Sequence, residues 1–538
     1  MTSPAAPVEE FSVEERAALR PYFTNVDRPV FALVNLPEVV KGALFARYSR
    51  SAKSLRRLFL DEFLDQVGGG QGAAGVGVNR AERLYEKVFL EYGDDSVAQL
   101  GGVHLACENV SNVLTKLLEW GRLMAYLEQS TRYVPYTDRP GGDWKYHLPA
   151  ELARHEDASL LRAYRACLDQ AFETYSRWLE PLQELYARRH PRPAGTSQGV
   201  YRRTIRAKAL DALRGLLPAA TQANVGIYGT GQAYEALLLR LRANPLAEAR
   251  DVAAMMLEEL RRVIPAFLRR VDLEDRGVQW SRYLESTREA TRSVAARLLE
   301  GASAGPRADV TLTDYDPEGE VKVVAAALYA ATDLPDDELQ ARARAMSPAE
   351  RAEVLRAYVG ERINRRHRPG RAFERTSYRF DVLSDYGAFR DLQRHRMLTI
   401  EWQGLSPHHG WVMAEAVEEA GAADDWAAAM ERAAETYGLL SDAGLPHVAP
   451  YVVSMAYRIR YYMEMNAREA MHVLELRSAP AGHAAYRRIS QEMHRLIAER
   501  AGHRAIAESM MHVDHGDVEL ERLAAEQAAE RRREGARS

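Results

Sequence analysis

Cysteine is almost absent: Cys107 and Cys167 are the only two in 538 residues. That excludes a disulfide framework and any Cys/His metal spacing. Cys107 lies in the apolar run Val103-His-Leu-Ala-Cys107 and reads as a packed core thiol. An excess of charge of one sign is also missing. The net charge is −4 and the pI about 6.5, whereas a general nucleic-acid binder carries a strongly basic domain. No run of about 18 apolar residues exists, which excludes a membrane-spanning helix. The opening stretch, Met1–Glu10, lacks the basic-then-apolar order of a signal peptide. The expectation is a cytoplasmic protein with neither nucleic acid nor membrane as a partner. Gly70-x-Gly72-x-x-Gly75 matches the dinucleotide fingerprint in form, but the preceding Leu58–Val67 reads as helix and no βαβ unit surrounds it. A surface loop is the better reading. His408-His409 and His512-x-Asp514-His515 each lack a second pair at ligand spacing, so no metal site is expected.

What is present is ample apolar material, 46% of the chain, enough for two or more cores. Helical spacing runs through Asn35–Phe63, Ala81–Tyr92, Val110–Leu127, Leu152–Arg189 and Ser281–Leu299. Ser96–Cys107 and Ala372–Val382 alternate like strands. Glu128–Tyr136 reads as a polar loop leaving a helix, and Arg394–Arg396 as part of a helix. Glu300–Pro306 is the best linker by its Gly, Pro and Ser. We therefore expect a lead-in (1–28), a first domain (29–300), a second domain (307–517) and a charged tail (518–538) that reads as a solvated or frayed helix. An ordered internal repeat supports the division. Phe172-Glu-Thr-Tyr175 mirrors Ala434-Glu-Thr-Tyr437, and Leu239-Arg-Leu-Arg242 mirrors Leu474-Glu-Leu-Arg477.

Two stretches carry chemistry. The second half holds Arg394-His395-Arg396, three cationic or potentially cationic side chains able to surround an anion. The first half holds Glu128-Gln-Ser130-Thr-Arg132-Tyr133 with the single Arg122 before it. Together they resemble the signature of the flavin-dependent thymidylate synthases, Arg-His-Arg-x-x-Ser-x-Asn-Glu-x-Ser-x-Arg-Tyr, divided between two copies. The first copy keeps the right side and the second keeps the left, with Thr399 in place of Ser. Neither copy has the Asn; Leu127 and Glu401 stand there. Asn466-Ala-Arg468 followed by Leu474-Glu-Leu-Arg477 resembles a further family segment. Arg214-Gly-Leu-Leu-Pro218 resembles the family's Arg-x-x-Leu-Pro, with Pro450 at that place in the second half.

The resemblance implies an α+β protein built of two copies of that fold, a small sheet flanked by long helices. It implies conversion of dUMP to dTMP with FAD, and with NADPH and methylenetetrahydrofolate as co-substrates. The cofactor would meet Arg394, His395, Arg396, Asn466 and Arg468. The nucleotide would meet Glu128, Ser130, Arg132 and Arg214, while Arg477, the candidate catalytic residue, would orient the uracil. The chemistry is then the cofactor's, and no protein nucleophile is required. A tetrameric family implies a homodimer of this double chain. A non-catalytic flavin- or nucleotide-binding paralogue is the alternative, since each copy keeps only half the motif; a helical scaffold needs the motif agreement to be chance.

Overall fold

Alternation with a period of two builds the strands. Along Ser377–Asp385 the residues Tyr378, Phe380, Val382 and Ser384 point inward, and along Arg458–Asn466 so do Ile459, Tyr461, Met463 and Met465. The computed structural model describes residues 9–49, 51–64, 99–517, 520 and 523–535. The glycine-rich stretch and the helix expected over Ala81–Tyr92 lie outside them.

The fold is α+β, and its element order repeats. The first half runs β1 (Gly102–Ser111), α1 (Asn112–Leu118), β2 (Met124–Glu128), the long α2 (Ala158–Arg189), α3 (Gln198–Leu213), β3 (Gln222–Thr230), α4 (Gly231–Arg242) and α5 (Gln279–Leu298). The second runs β4 (Val310–Tyr315), β5 (Ser377–Asp385), α6 (Tyr386–Leu392), β6 (Thr399–Trp402), α7 (Ala423–Asp442), β7 (Arg458–Asn466), α8 (Ala467–Arg477) and α9 (Ala484–Glu499). In each half the strand formed last in sequence sits between the two before it: the sheet orders are β1-β3-β2 and β4-β5-β7-β6. β7 pairs antiparallel with β5 from Ser377↔Asn466 to Asp385↔Arg458, and with β6 from Thr399↔Glu464 to Trp402↔Tyr461. This shared order is the structural form of a tandem duplication.

The chain packs as two compact units that do not follow the halves. One comprises residues 1–108, 123–128 and 224–302; the other comprises 109–122, 129–223 and 303–538. In the first unit β2 and β3 pair from Met124↔Gly229 to Glu128↔Val225. In the second unit, segments of both halves share a core. Backbone bonds Ala219 N to Val453 O at 2.9 Å, Ala220 N to Tyr451 O at 2.8 Å, Met455 N to Leu217 O at 2.9 Å and Ala456 N to Gly215 O at 2.9 Å stitch the stretch after Arg214 to the stretch before β7. The Tyr386 hydroxyl donates to Asn112 O at 3.0 Å, and Gln393 Nε2 to Lys116 O at 3.1 Å, so α1 and α6 lie against each other.

Several expectations need correction. Val110–Leu127 is not one helix. Ser111 ends β1 and caps α1 by accepting from Leu114 N at 3.0 Å, and beyond Trp120-Gly121 the chain enters β2, burying Met124 and Glu128. Asn35–Phe63 is two helices, Glu38–Tyr48 and Leu55–Glu62. The strand expected over Ala372–Val382 begins at Ser377, after a 3₁₀ turn at Arg371–Arg375. Arg394–Arg396 is not helical: α6 stops at Leu392 and the triplet forms the turn into β6, where β-branched Thr399 and Ile400 take the extended form. The tail is helical over Leu523–Gly535, as expected, but this helix is docked rather than solvated. Its helix, α10 (Leu523–Gly535), places Gln527 Nε2 2.8 Å from Thr196 Oγ1 and Glu526 3.1 Å from Arg203 Nε.

Candidate functional site

Asp391, the last carboxylate before the Arg-His-Arg turn, is where the divided motif converges. Burial alone would raise its pKa. The guanidiniums of Arg477, Arg214, Arg394 and Arg132 overcome that and hold it well below the usual carboxylate range. Two of those arginines come from the first half and two from the second, and all belong to one compact unit. Arg214 Nη1 lies 3.4 Å from Asp391 Oδ2, and Arg477 Nη1 3.6 Å from Oδ1. Arg477 Nη2 also donates to the Asp391 carbonyl.

Each expected residue has a definite place. Arg477 Nε donates to His395 Nε2 at 2.9 Å, and its guanidinium carbon stands 5.4 Å from the centre of the Tyr486 ring. Its fork is thus set between a neutral imidazole and an aromatic face. His395 is buried. Burial and then Arg477 push its pKa well below the ordinary value, so it is neutral at pH 7. Arg394 lies with Nε 3.7 Å from Glu119, itself paired with Lys116 at 2.7 Å inside the core. Arg396 is exposed. Asn466 ends β7 and caps α8, accepting from Glu469 N at 2.9 Å. Arg468 Nε donates to Pro369 O at 3.0 Å, with Glu374 3.4 Å from Nη1. Arg122 donates to Thr399 Oγ1 at 3.0 Å, the first copy's turn meeting the second copy's strand. Beside it Trp120 packs edge-on to Trp402 with centroids 5.6 Å apart.

Of the residues expected to meet a nucleotide, Arg132 has its fork filled. Nε and Nη2 reach Asp211 at 2.7 and 2.8 Å, and Nη1 reaches the Tyr486 hydroxyl at 3.1 Å. Burial would raise the Asp211 pKa; Arg132 more than offsets this and lowers it. Ser130 Oγ accepts from Arg132 N at 3.2 Å and shapes the local turn. Glu128 is buried at the end of β2, in the other unit. Arg214 is 4% exposed, and its Nη2 has no hydrogen-bond partner among the described residues. The lack of a side chain at Gly387 makes room for it: a Cβ there would stand 3.2 Å from both Nε and Nη2. Arg214 borders a cavity of about 1160 Å³ whose lining also includes Asp211, Asp385, His483, Arg488 and Trp426.

Beside His395 lie Glu469 and His472. Burial raises the Glu469 carboxyl to about 7, and burial followed by Arg368 lowers His472 to about 4. His395, Glu469 and His472 bring their ligating atoms within 4.8 Å of one another, the one such cluster among the described residues. Arg368, Arg468 and Arg396 act on that carboxyl and Arg477 on that imidazole. This positive field suits an anion and opposes a cation. The histidines singled out in the sequence pack elsewhere: His408 against Tyr437 with centroids 5.7 Å apart, and His515 Nε2 3.0 Å from His494 Nδ1. Cys107 and Cys167 are buried, and burial pushes both thiols up to about 11, far from a nucleophile's range.

The sequence reading gave no role to Asp391, Asp211, Glu469, His483, Tyr486 or Arg488. Asp391 had a signal, three residues before the triplet, and so had Glu469, next to Arg468 in the Asn466-Ala-Arg468 segment; Asp211 and Tyr486 had none, because Arg132 reaches them from far away in sequence.

The sequence model of the family described as "Thymidylate synthase complementing protein" matches residues 44–266 and again 311–501. Relatives extend over nearly the whole chain. A UPF0159 protein of Chlamydia muridarum is 36% identical over 521 residues, covering 96% of this chain and 97% of its own. One from Chlamydia pneumoniae is 37% identical with the same coverage, and one from Thermoplasma acidophilum is 31% identical, covering 90% of this chain and 97% of its own. Among solved structures, a UMP/dUMP methylase PolB from Streptomyces cacaoi bound with 5-Br dUMP aligns with 22% identity and a TM-score of 0.29. It covers 38% of this chain and 96% of that one.

Proposed function

The chain belongs to the thymidylate synthase complementing protein family, and from that premise we propose that it methylates the uracil ring of dUMP to give dTMP. The observation that carries the reading is the meeting of Arg132 and Arg214 from one half with Arg394, His395 and Arg477 from the other around Asp391. In this reading the two half-motifs, each incomplete, supply their arginines to one site, while Glu128 of the first half-motif lies in the other unit.

In this reading Arg214 meets the nucleotide phosphate with its unpartnered nitrogen, a charge-assisted bond that a dianion favours. Arg477, held by Asp391 and by neutral His395, orients the uracil. Its remaining polar edge lies in a low-dielectric site where such bonds are strong. Arg394, Arg396 and Arg468, with Asn466 at the helix start, would hold FAD. The arginines near Glu469 supply the positive charge a pyrophosphate needs, and neutral His395 and His472 add none that would have to be discharged. When bound, FAD supplies the hydride chemistry, with methylenetetrahydrofolate as the one-carbon source and NADPH as the reductant. A homodimer would give the four-domain assembly that the duplication suggests. One observation favours a second reading, a nucleotide-binding paralogue without turnover: Asp211 already fills the Arg132 fork.

The test is anaerobic oxidation of reduced protein-bound flavin. With dUMP and methylenetetrahydrofolate present the flavin should reoxidise and dTMP should accumulate; omission of dUMP should stop both. Protein that binds dUMP and flavin but makes no dTMP would overturn catalysis in favour of the paralogue.

A further inference from the structure

α9 starts at the wall of the cavity. His483, Ala484, Ala485 and Arg488 all border it. His483 Nδ1 caps the helix by accepting from Ala485 N at 3.2 Å. Burial, then Arg214, lowers the His483 pKa to about 3, so the cap is neutral at pH 7. The first turn of this 16-residue helix presents the positive end of its dipole. Arg214 borders the same cavity with Nη2 buried and unpartnered among the described residues, an arrangement that is costly unless a ligand completes it.

The acids of the lining already have partners. Asp211 is taken by Arg132 and Asp309 by Arg458, while Glu415 lies 3.8 Å from Arg189 and Glu492 binds Arg495. Asp385 accepts from Ala388 N at 2.8 Å, and burial raises its pKa toward the neutral form. Arg488, by contrast, makes no side-chain hydrogen bond or ion pair among the described residues, although its charge and that of Arg214 both reach the Asp385 carboxyl. The wall therefore carries cationic donors in excess of its available anions.

We propose that the first turn of α9, Arg488 and Arg214 Nη2 together seat the substrate's phosphate, and that Arg488 sets the preference for a nucleotide over its nucleoside. This rests on the nucleotide reading above and adds a residue that the family signature does not contain. Helix N-termini and arginine guanidiniums are common protein receptors for phosphate, and here the first turn of α9, Arg488 and Arg214 border one cavity.

Calorimetric titration of the full chain with dUMP and with deoxyuridine tests it. The unaltered protein should bind dUMP far more tightly than deoxyuridine. Arg488→Gln should weaken dUMP about ten- to a hundred-fold and leave deoxyuridine unchanged, and Arg488→Lys should recover part of the loss. Arg488→Gln that binds dUMP as tightly as the unaltered protein would overturn the assignment of Arg488 and leave the nucleotide reading standing. Unaltered protein that binds no dUMP would overturn both. A weakening of both ligands alike would mark Arg488 as structural and overturn its role in phosphate preference.

Discussion

Asp391, with 17% of its side chain exposed, shows what a single half-buried carboxylate does when four guanidiniums share it. Its removal leaves positive charges facing one another. Breaking a fully buried pair from one side costs about 3–5 kcal/mol; Asp391 is half-buried, so Asp391→Ala should lower stability in urea by less, about 1–3 kcal/mol; an unchanged midpoint would mean that the arginines find other partners. Glu469 tests the opposite case. Its folded pKa of about 7 lies above the ordinary 4.5. A raised carboxyl pKa contributes stability that is fully present below about 4.5 and is lost as pH rises through about 7. Glu469→Gln keeps the neutral form, so it should match the unaltered protein at pH 4.5 and exceed it by about 2–3 kcal/mol at pH 8. Urea denaturation at the two pH values checks this; equal stability at both would exclude the burial argument.

At the scale of elements, short turns decide where the chemistry lies. α6 is only seven residues long, and it ends where the Arg-His-Arg turn must begin. Near its start, Gly387 permits the approach of Arg214. A Cβ there would also stand 3.0 Å from Asp385 Oδ1, so Gly387→Ala should displace the guanidinium and weaken dUMP by about 1 kcal/mol, roughly five-fold, measurable by titration. The sequence made the triplet, the repeat and most long helices readable, because these rest on local spacing. It misread Val110–Leu127 because a helix followed by a strand shares an apolar content with one longer helix, and only the cap at Ser111 and the break at Trp120-Gly121 separate them. Asp211 and Tyr486 were invisible for a different reason. Arg132 reaches them across 79 and 354 residues of chain, and no local pattern records such a contact.

For the whole molecule, the duplication yields unequal places. Arg242, the first-half counterpart of Arg477, binds Asp272 at 2.5 Å and the Val271 carbonyl at 2.9 Å, while Arg261 also bonds to Asp272. Nearby Glu235 is held by Arg270 at 2.8 Å. With that arginine engaged inside its own unit, calorimetry should find one dUMP per chain; two per chain would show that the first-half place is open.

The stitching of residues 215–220 to 451–456 has a consequence for genetics. Arg132, Arg214, Arg394 and Arg477 belong to one unit of one polypeptide, so the site proposed above draws all four arginines from a single chain. Two inactive alleles, one altered at Arg214 and the other at Arg477, should therefore fail to complement each other when co-expressed, since no exchange of subunits can reunite the intact arginines. Restored growth of a thymidine-requiring host by such a pair would place the functional site between chains instead. The same stitching binds the fates of the two halves: a gene split between them has to return both products to one folded unit, and neither half alone, in any number of copies, holds the full set.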